Sequence, residues 1–158
     1  MKVLARCPIP LRLGLVAVLV AVVVDRAATQ DPELKATYGE VKLKAGFEPD
    51  PYTKKVDAGG EINTKLGGVA AWVAKAPDFK LFYTAGKYPL TITVECDKDT
   101  TLLVNLPDGK WIANDDGPNG LNPLLRFAKP QSGRYDIWVG TFEKGGFPPA
   151  KLIITELK

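Results

Sequence analysis

The sequence contains no histidine. That absence removes Ser-His-Asp and Cys-His catalytic sets, and with them the histidine-bearing zinc motifs. Paired carboxylates, lysine nucleophiles and oxygen-ligated cations survive as chemistry. Cysteine is scarce: Cys7 and Cys96 are the two in the chain. Cys7 falls in a segment read below as a leader, so Cys96 stands alone in the remainder and cannot form an intrachain disulfide there. After residue 28 there is no amphipathic helical pattern of useful length, no internal repeat and no low-complexity tract.

What is present begins with a basic head, Lys2, Arg6 and Arg12, and an unbroken run of Leu, Val, Ala and Gly from Leu13 to Val24. The run falls short of the ~20 apolar residues of a bilayer span and fits the roughly 7–15 of an export-signal core. A buried domain helix or an uncleaved anchor are the competing readings. Cutting after Ala28 puts Arg26 at the third position upstream, and cutting after Ala27 puts Asp25 there. Small residues are wanted at both places, so the cut is bracketed between Ala27 and Asp31. The expected organisation is a signal segment over 1–28, a linker over 29–36 and one domain over 37–158. The product is then secreted or periplasmic, and meets a membrane only during export.

The whole chain carries +3, but Lys2, Arg6, Arg12 and Arg26 lie in the leader against Asp25 alone. The rest is formally neutral and has no clustered basic stripe. No footprint for nucleic acid follows.

From Thr37 onward, short strands alternate with turn signals. Strands are expected at Val41–Ala45, Tyr52–Ala58, Val69–Ala74, Phe79–Thr84, Leu90–Cys96, Thr101–Leu106, Lys110–Ala113, Leu124–Ala128, Arg134–Phe142 and Ala150–Glu156. Pro107-Asp-Gly109 is a turn with a mechanism: proline presets φ, Asp bonds back to the backbone and Gly accepts positive φ. This spacing predicts an all-β fold, an antiparallel jelly-roll-like β-sandwich. Alternation sends Leu102 and Val104, Tyr135, Ile137 and Val139, and Leu152 and Ile154 inward, with Leu103, Trp138 and Ile153 opposite. It also puts Leu90, Ile92, Val94 and Cys96 on one face, which reads Cys96 as a small buried hydrophobe, with an intermolecular bridge or a reactive thiol as the competing reading.

One loop is crowded with side-chain oxygens: Asn114, Asp115, Asp116, Asn119 and Asn122. Calcium takes six to eight oxygen ligands at ~2.3–2.6 Å, so these five residues are the candidate cation loop. Asp97, Asp99 or Asp136 would approach from neighbouring loops. The loop fails the EF-hand pattern, and Asx residues that cap a long turn give the same composition. Trp111, beside the loop, is the candidate ring for stacking on a glycan, out of a set that includes Trp72, Trp138, Tyr83 and Tyr135. No spacing nominates a glycosidase carboxylate pair.

The series Asp99-Thr-Thr-Leu-Leu-Val-Asn-Leu-Pro-Asp-Gly-Lys-Trp111, then Asn114-Asp-Asp, Leu121-Asn-Pro and Gln131-Ser-Gly-x-Tyr-Asp-Ile-Trp-Val-Gly140, resembles the bacterial pre-peptidase C-terminal (PPC) domain family, in its small stand-alone secreted members. The resemblance is strongest from Asp99 to Glu156. It implies a sandwich without catalytic activity that serves as an accessory for binding, secretion or solubility, with calcium bound in some members. In similar sequences a cysteine stands between the tryptophan and the acidic pair, partnering one near the earlier Gly-Gly segment. Here Ala113 occupies the first position and Val69-Ala-Ala-Trp72 lacks the second, so packing must hold that loop.

The expected function is therefore an exported, non-catalytic binding domain, calcium-stabilised in one variant, for an extracellular protein or a glycan. The alternative is a self-associating surface or filament subunit built by edge-strand pairing.

Overall fold

The computed structural model describes residues 29–118 and 120–157. The leader read over 1–28 lies outside them, as does Asn119 of the oxygen-rich loop. The described residues form a β-sandwich. Its strands are β1 (Glu40–Lys44), β2 (Tyr52–Asp57), β3 (Ile62–Thr64), β4 (Ala71–Val73), β5 (Phe79–Thr84), β6 (Leu90–Glu95), β7 (Thr100–Asn105), β8 (Trp111–Asn114), β9 (Leu124–Phe127), β10 (Gly133–Thr141) and β11 (Pro149–Thr155).

One sheet runs β1-β5-β10-β4-β3, with β7 on the other edge of β10 and β8 beyond it; the second runs β2-β11-β6-β9. The pairings are antiparallel except β1 with β5, which is parallel, Glu40 facing Lys80 and Lys44 facing Thr84. Between the sheets lies one core, including Leu81, Ile92, Leu102, Val104, Ile137, Val139, Leu152 and Ile154. All the residues that alternation sends inward are in it. A smaller cluster, Ala71, Val73, Leu103 and Trp138, sits on the outer face of the first sheet. Strands apolar on both sides are thus explained by a cover on each side.

That cover includes two elements too short and too polar to read from alternation: β3, whose sequence is Ile-Asn-Thr, and a 3-10 turn over Leu66–Gly68. Leu66, Trp111 and Ala113 pack on the outer cluster. Gly67, at φ +74°, presses on β8 so closely that a Cβ would stand 2.5 Å from the Ala113 nitrogen. Close backbone packing holds this contact where no cysteine is present.

Residues 29–36, expected as a linker, lie against the sheet. Lys80 Nζ donates to Pro32 O at 2.7 Å, and Arg134 bridges Glu33 (2.6 Å) and Asp136 (2.9 Å). Asp136 is thereby fixed between Arg134 and Lys80, away from the oxygen-rich loop. Tyr135 closes the turn before β10: its Oη donates to Gln131 O at 2.8 Å and accepts from Gln131 N at 2.9 Å.

Cys96 sits half-buried just past β6, where Lys98 N–H reaches its Sγ at 3.4 Å. Among the described residues no helix is long and apolar enough to cross a membrane.

Candidate functional site

β10 is longer than the strands that flank it, and this creates the most unusual site in the fold. Along one edge β10 pairs with β5 as far as Ile137, opposite Phe79, and meets β4 at Thr141, opposite Trp72. Val139 lies between the two and has no strand beside it on that edge, although it pairs with Leu102 of β7 on the other. Its backbone groups still need partners. The Asp78 carboxylate accepts Val139 N–H at 2.7 Å, and Gly59 N–H donates to Val139 O at 2.8 Å. A side chain and a glycine stand in for the missing strand.

The substitution has an electrostatic consequence. Asp78 is 3% exposed. Burial drives its pKa up to about 7; the Val139 N–H opposes that rise, and the negative charge of Asp57 adds to it. Asp57 is at the end of β2, where its carboxylate accepts from Tyr38 Oη at 3.1 Å and its own N–H donates to the same oxygen at 3.0 Å. Tyr38, Asp57, Gly59, Gly60, Asp78 and Phe147 share a cavity of about 500 Å³.

Phe147 belongs to the β10–β11 loop. It is 48% exposed and has φ +38°, a left-handed conformation that bulky residues rarely hold. The other flank of this loop, Gly145 and Gly146, lines a second cavity of about 410 Å³ together with Asp99 and Glu143. Burial raises the Asp99 pKa above the ordinary carboxylate range, and the charges of Asp116, Asp115 and Glu143 push it further. Asp99 Oδ1 is buried with no hydrogen-bond partner among the described residues. Backbone bonds tie the loops here together, Thr100 N to Leu121 O at 3.2 Å and Phe142 N to Asp99 O at 3.5 Å. Leu121 (59% exposed) and Phe142 (50%) project from this acidic end.

The oxygen-rich loop divides. Asn114 Oδ1 accepts Leu124 N–H at 3.0 Å; Asn122 Oδ1 accepts the Thr100 hydroxyl at 2.8 Å, while its Nδ2 donates to Cys96 O at 2.8 Å. These two asparagines clamp the loop onto the framework. Asp115 and Asp116 face Asp99 electrostatically, and Asn119 is outside the described residues. Among the described residues, no three Asp, Glu or Cys side chains converge closely enough to hold a metal ion.

Trp111 is half-buried, its ring 5.1 Å from that of Trp138 and tilted by 43°. Trp138, Tyr135 and Tyr83 are buried, and Lys144 Nζ lies 5.0 Å from the Trp72 ring. The five rings do not line up as an exposed stacking platform.

Sequence reasoning missed Asp78, Asp57, Tyr38 and the exposed Phe142 and Phe147. Pro77-Asp78 and Gly59-Gly60 read as ordinary turn punctuation. Nothing local announces that both turns meet at one backbone gap.

No family model matches the chain, and no curated protein matches it. Among solved structures it is similar to a periplasmic lysozyme inhibitor of g-type lysozyme, PliG of Aeromonas hydrophila. Identity is 16% and the TM-score is 0.38, over 73% of this chain and 96% of that one. At that level the likeness carries no argument about partner or activity.

Proposed function

We propose that this chain is an exported, non-catalytic β-sandwich of the PPC type that binds a basic protein through one loop-bearing end. The observation that carries the reading is that end itself: Leu121 and Phe142, half or more exposed, beside Asp99, Asp115, Asp116 and Glu143. Exposed apolar anchors give affinity, and a surrounding field in which these carboxylates outnumber the single Lys98 of the same cavity selects a basic partner and speeds encounter. Three sheet edges carry charge, Lys42 and Lys44 on β1, Lys54 and Lys55 on β2, and Arg126 on β9, while the short β3 and β8 edges are uncharged. Charged edges and very short ones both discourage edge-to-edge pairing, which favours a discrete module over a self-associating subunit.

The expected result is a monomer by light scattering that retains a basic exported protein. Phe142→Ala weakens that binding by about tenfold or more, because anchor truncations cost roughly 1–2 kcal/mol and upward. Raising salt weakens it further. Open-ended oligomers, or affinity indifferent to both Phe142→Ala and salt, would overturn the reading.

A calcium-stabilised form is the second reading, favoured by the unpartnered Asp99 Oδ1 next to Asp115 and Asp116. Binding would draw Asp115 and Asp116 in toward Asp99, since the three carboxylates do not converge in the described structure, and would relieve the repulsion that now acts on Asp99. Melting at ~2 mM calcium, against a chelator control, is expected to rise by several degrees, since an ion bound only by the native state stabilises it. Superimposable melting curves would remove calcium from the proposal.

A further inference from the structure

The cavity beside the backbone gap carries a second proposal, separate from the acidic loop end. We propose that the open cleft lined by Asp78, Asp57, Tyr38 and Phe147 is a binding site for an organic cation, a primary ammonium or a guanidinium.

Four observations converge on that ligand chemistry. First, the cavity, about 500 Å³, is large enough for such a group, and its floor is the Gly59-Gly60 backbone. Second, it holds two carboxylates whose charges act on each other: Asp57 is the charged group that acts on buried Asp78, and it carries the same sign. A buried charge with no opposite partner is costly, and a cation between the two would relieve both. Third, the neighbouring protein groups do not already supply that cation. Val139 N–H donates to Asp78; Lys75, on the rim, is solvent-exposed and is not among the groups that act on Asp78. Glu61, also on the rim, is drawn toward Lys144 at 3.6 Å. Fourth, aromatic residues help line the space. The Phe147 ring lies against Gly59, where a Cβ would meet its Cδ1 at 3.6 Å, and the Tyr38 hydroxyl is anchored on Asp57. Carboxylates joined with ring faces suit alkylammonium and guanidinium ions, which bring both charge and apolar surface. A bare metal ion gains nothing from the rings, and the described residues offer it no converging donor set.

Binding is coupled to protonation. Asp78 holds its proton below about pH 7, so a cation that needs the carboxylate must displace that proton. Asp57, Glu61, Tyr38 and Lys75 face the cavity from the elements around it, and Asp57 supplies the charge that remains once Asp78 is neutral.

The test uses the exported protein and small probes, with no protein partner, so it fails or succeeds independently of the partner proposal. Backbone-amide NMR follows titrations with N-acetyl-lysine-N-methylamide, N-acetyl-arginine-N-methylamide and cadaverine, with N-acetyl-norleucine-N-methylamide as the neutral control. The Gly59, Gly60 and Val139 signals are expected to move saturably with the cations and not with norleucine. Affinity should rise about tenfold between roughly pH 5 and pH 8, as the Asp78 proton is shed. Asp57→Asn, at an exposed strand end, should weaken binding by about fivefold or more without unfolding the protein. Tighter binding of the blocked amino acids points to a protein side chain as the natural ligand, and tighter binding of cadaverine to a free amine. Either supports the site. Absence of saturable shifts at about pH 8, or equal response to norleucine, overturns it.

Discussion

Replacing Asp78 with asparagine is expected to make the protein more stable in mild alkali and to flatten its stability profile between acid and neutral pH. The carboxyl of Asp78 titrates at about 7 in the fold against 3.8 for an ordinary Asp, chiefly because it is buried. The native state therefore binds more protons than the unfolded chain between those values. Stability from this group is fully present below the unfolded pKa and is lost as pH rises through about 7. At roughly 1.4 kcal/mol per unit, the loss reaches about 4 kcal/mol by pH 8. Asparagine keeps an oxygen for Val139 N–H and never ionises. Urea unfolding of both proteins at about pH 4.5 and pH 8 checks this, because the other carboxylates are common to both and cancel. The variant should gain on the order of 2–4 kcal/mol at the higher pH relative to the lower. Parallel pH profiles would show that Asp78 is ionised at no cost.

A residue that destabilises its own fold at neutral pH calls for an account, and the backbone gap supplies part of one. Val139 needs an acceptor for its N–H, and a short carboxylate from Asp78 reaches it. An amide would reach it equally well and without the penalty. The charge itself is what the gap does not explain, and charge is what an organic cation in the cavity would use. The acidic loop end follows a different logic. There Asp115 and Asp116 are not enclosed, and their field acts outward on a partner as well as on Asp99.

The strands were largely legible because their sequences obey one rule. Leu90-Thr-Ile-Thr-Val-Glu95 alternates, and Leu90, Ile92 and Val94 are all buried. Pro107-Asp-Gly109 predicts its hairpin, and Leu102↔Asn114 to Asn105↔Trp111 is the register found. The parallel β1–β5 pair was not legible, since partner choice depends on what lies between the strands in space and not on either strand alone. The oxygen-rich loop was legible as a loop, but composition does not say which oxygens turn inward. Asn114 and Asn122 serve Leu124 and Thr100, neither of which their neighbours in sequence would have identified. The cavity was hidden for the same reason: Tyr38, Asp57, Asp78 and Phe147 come from four separate segments, and only the unequal lengths of β5, β4 and β10 bring them together.

Gly60→Ala tests that arrangement most severely. A Cβ on Gly60 would stand 1.9 Å from the Val73 carbonyl carbon and 2.2 Å from both Val73 O and Ala74 N. These are backbone atoms of β4 and its exit, so no rotamer change relieves the clash. Either β4 moves off the end of β10, losing the Thr141–Trp72 pairing, or the Gly59-Gly60 segment lifts away and leaves Val139 O without its donor. Both routes open the floor of the cavity. Overpacking commonly costs 1–3 kcal/mol, and a contact this short against rigid backbone should exceed that range, at about 4 kcal/mol or more. Gly109→Ala is the matched control. Gly109 has φ +80° and nothing within 4 Å, so it isolates the conformational penalty, roughly 1–2 kcal/mol, from any steric one. Urea unfolding should therefore rank Gly60→Ala well below Gly109→Ala, with hydrogen exchange at Val139 accelerated only in the former. Equal losses in the two variants would mean that the Gly59-Gly60 segment does not press on β4, and that the gap beside Val139 is closed in some other way.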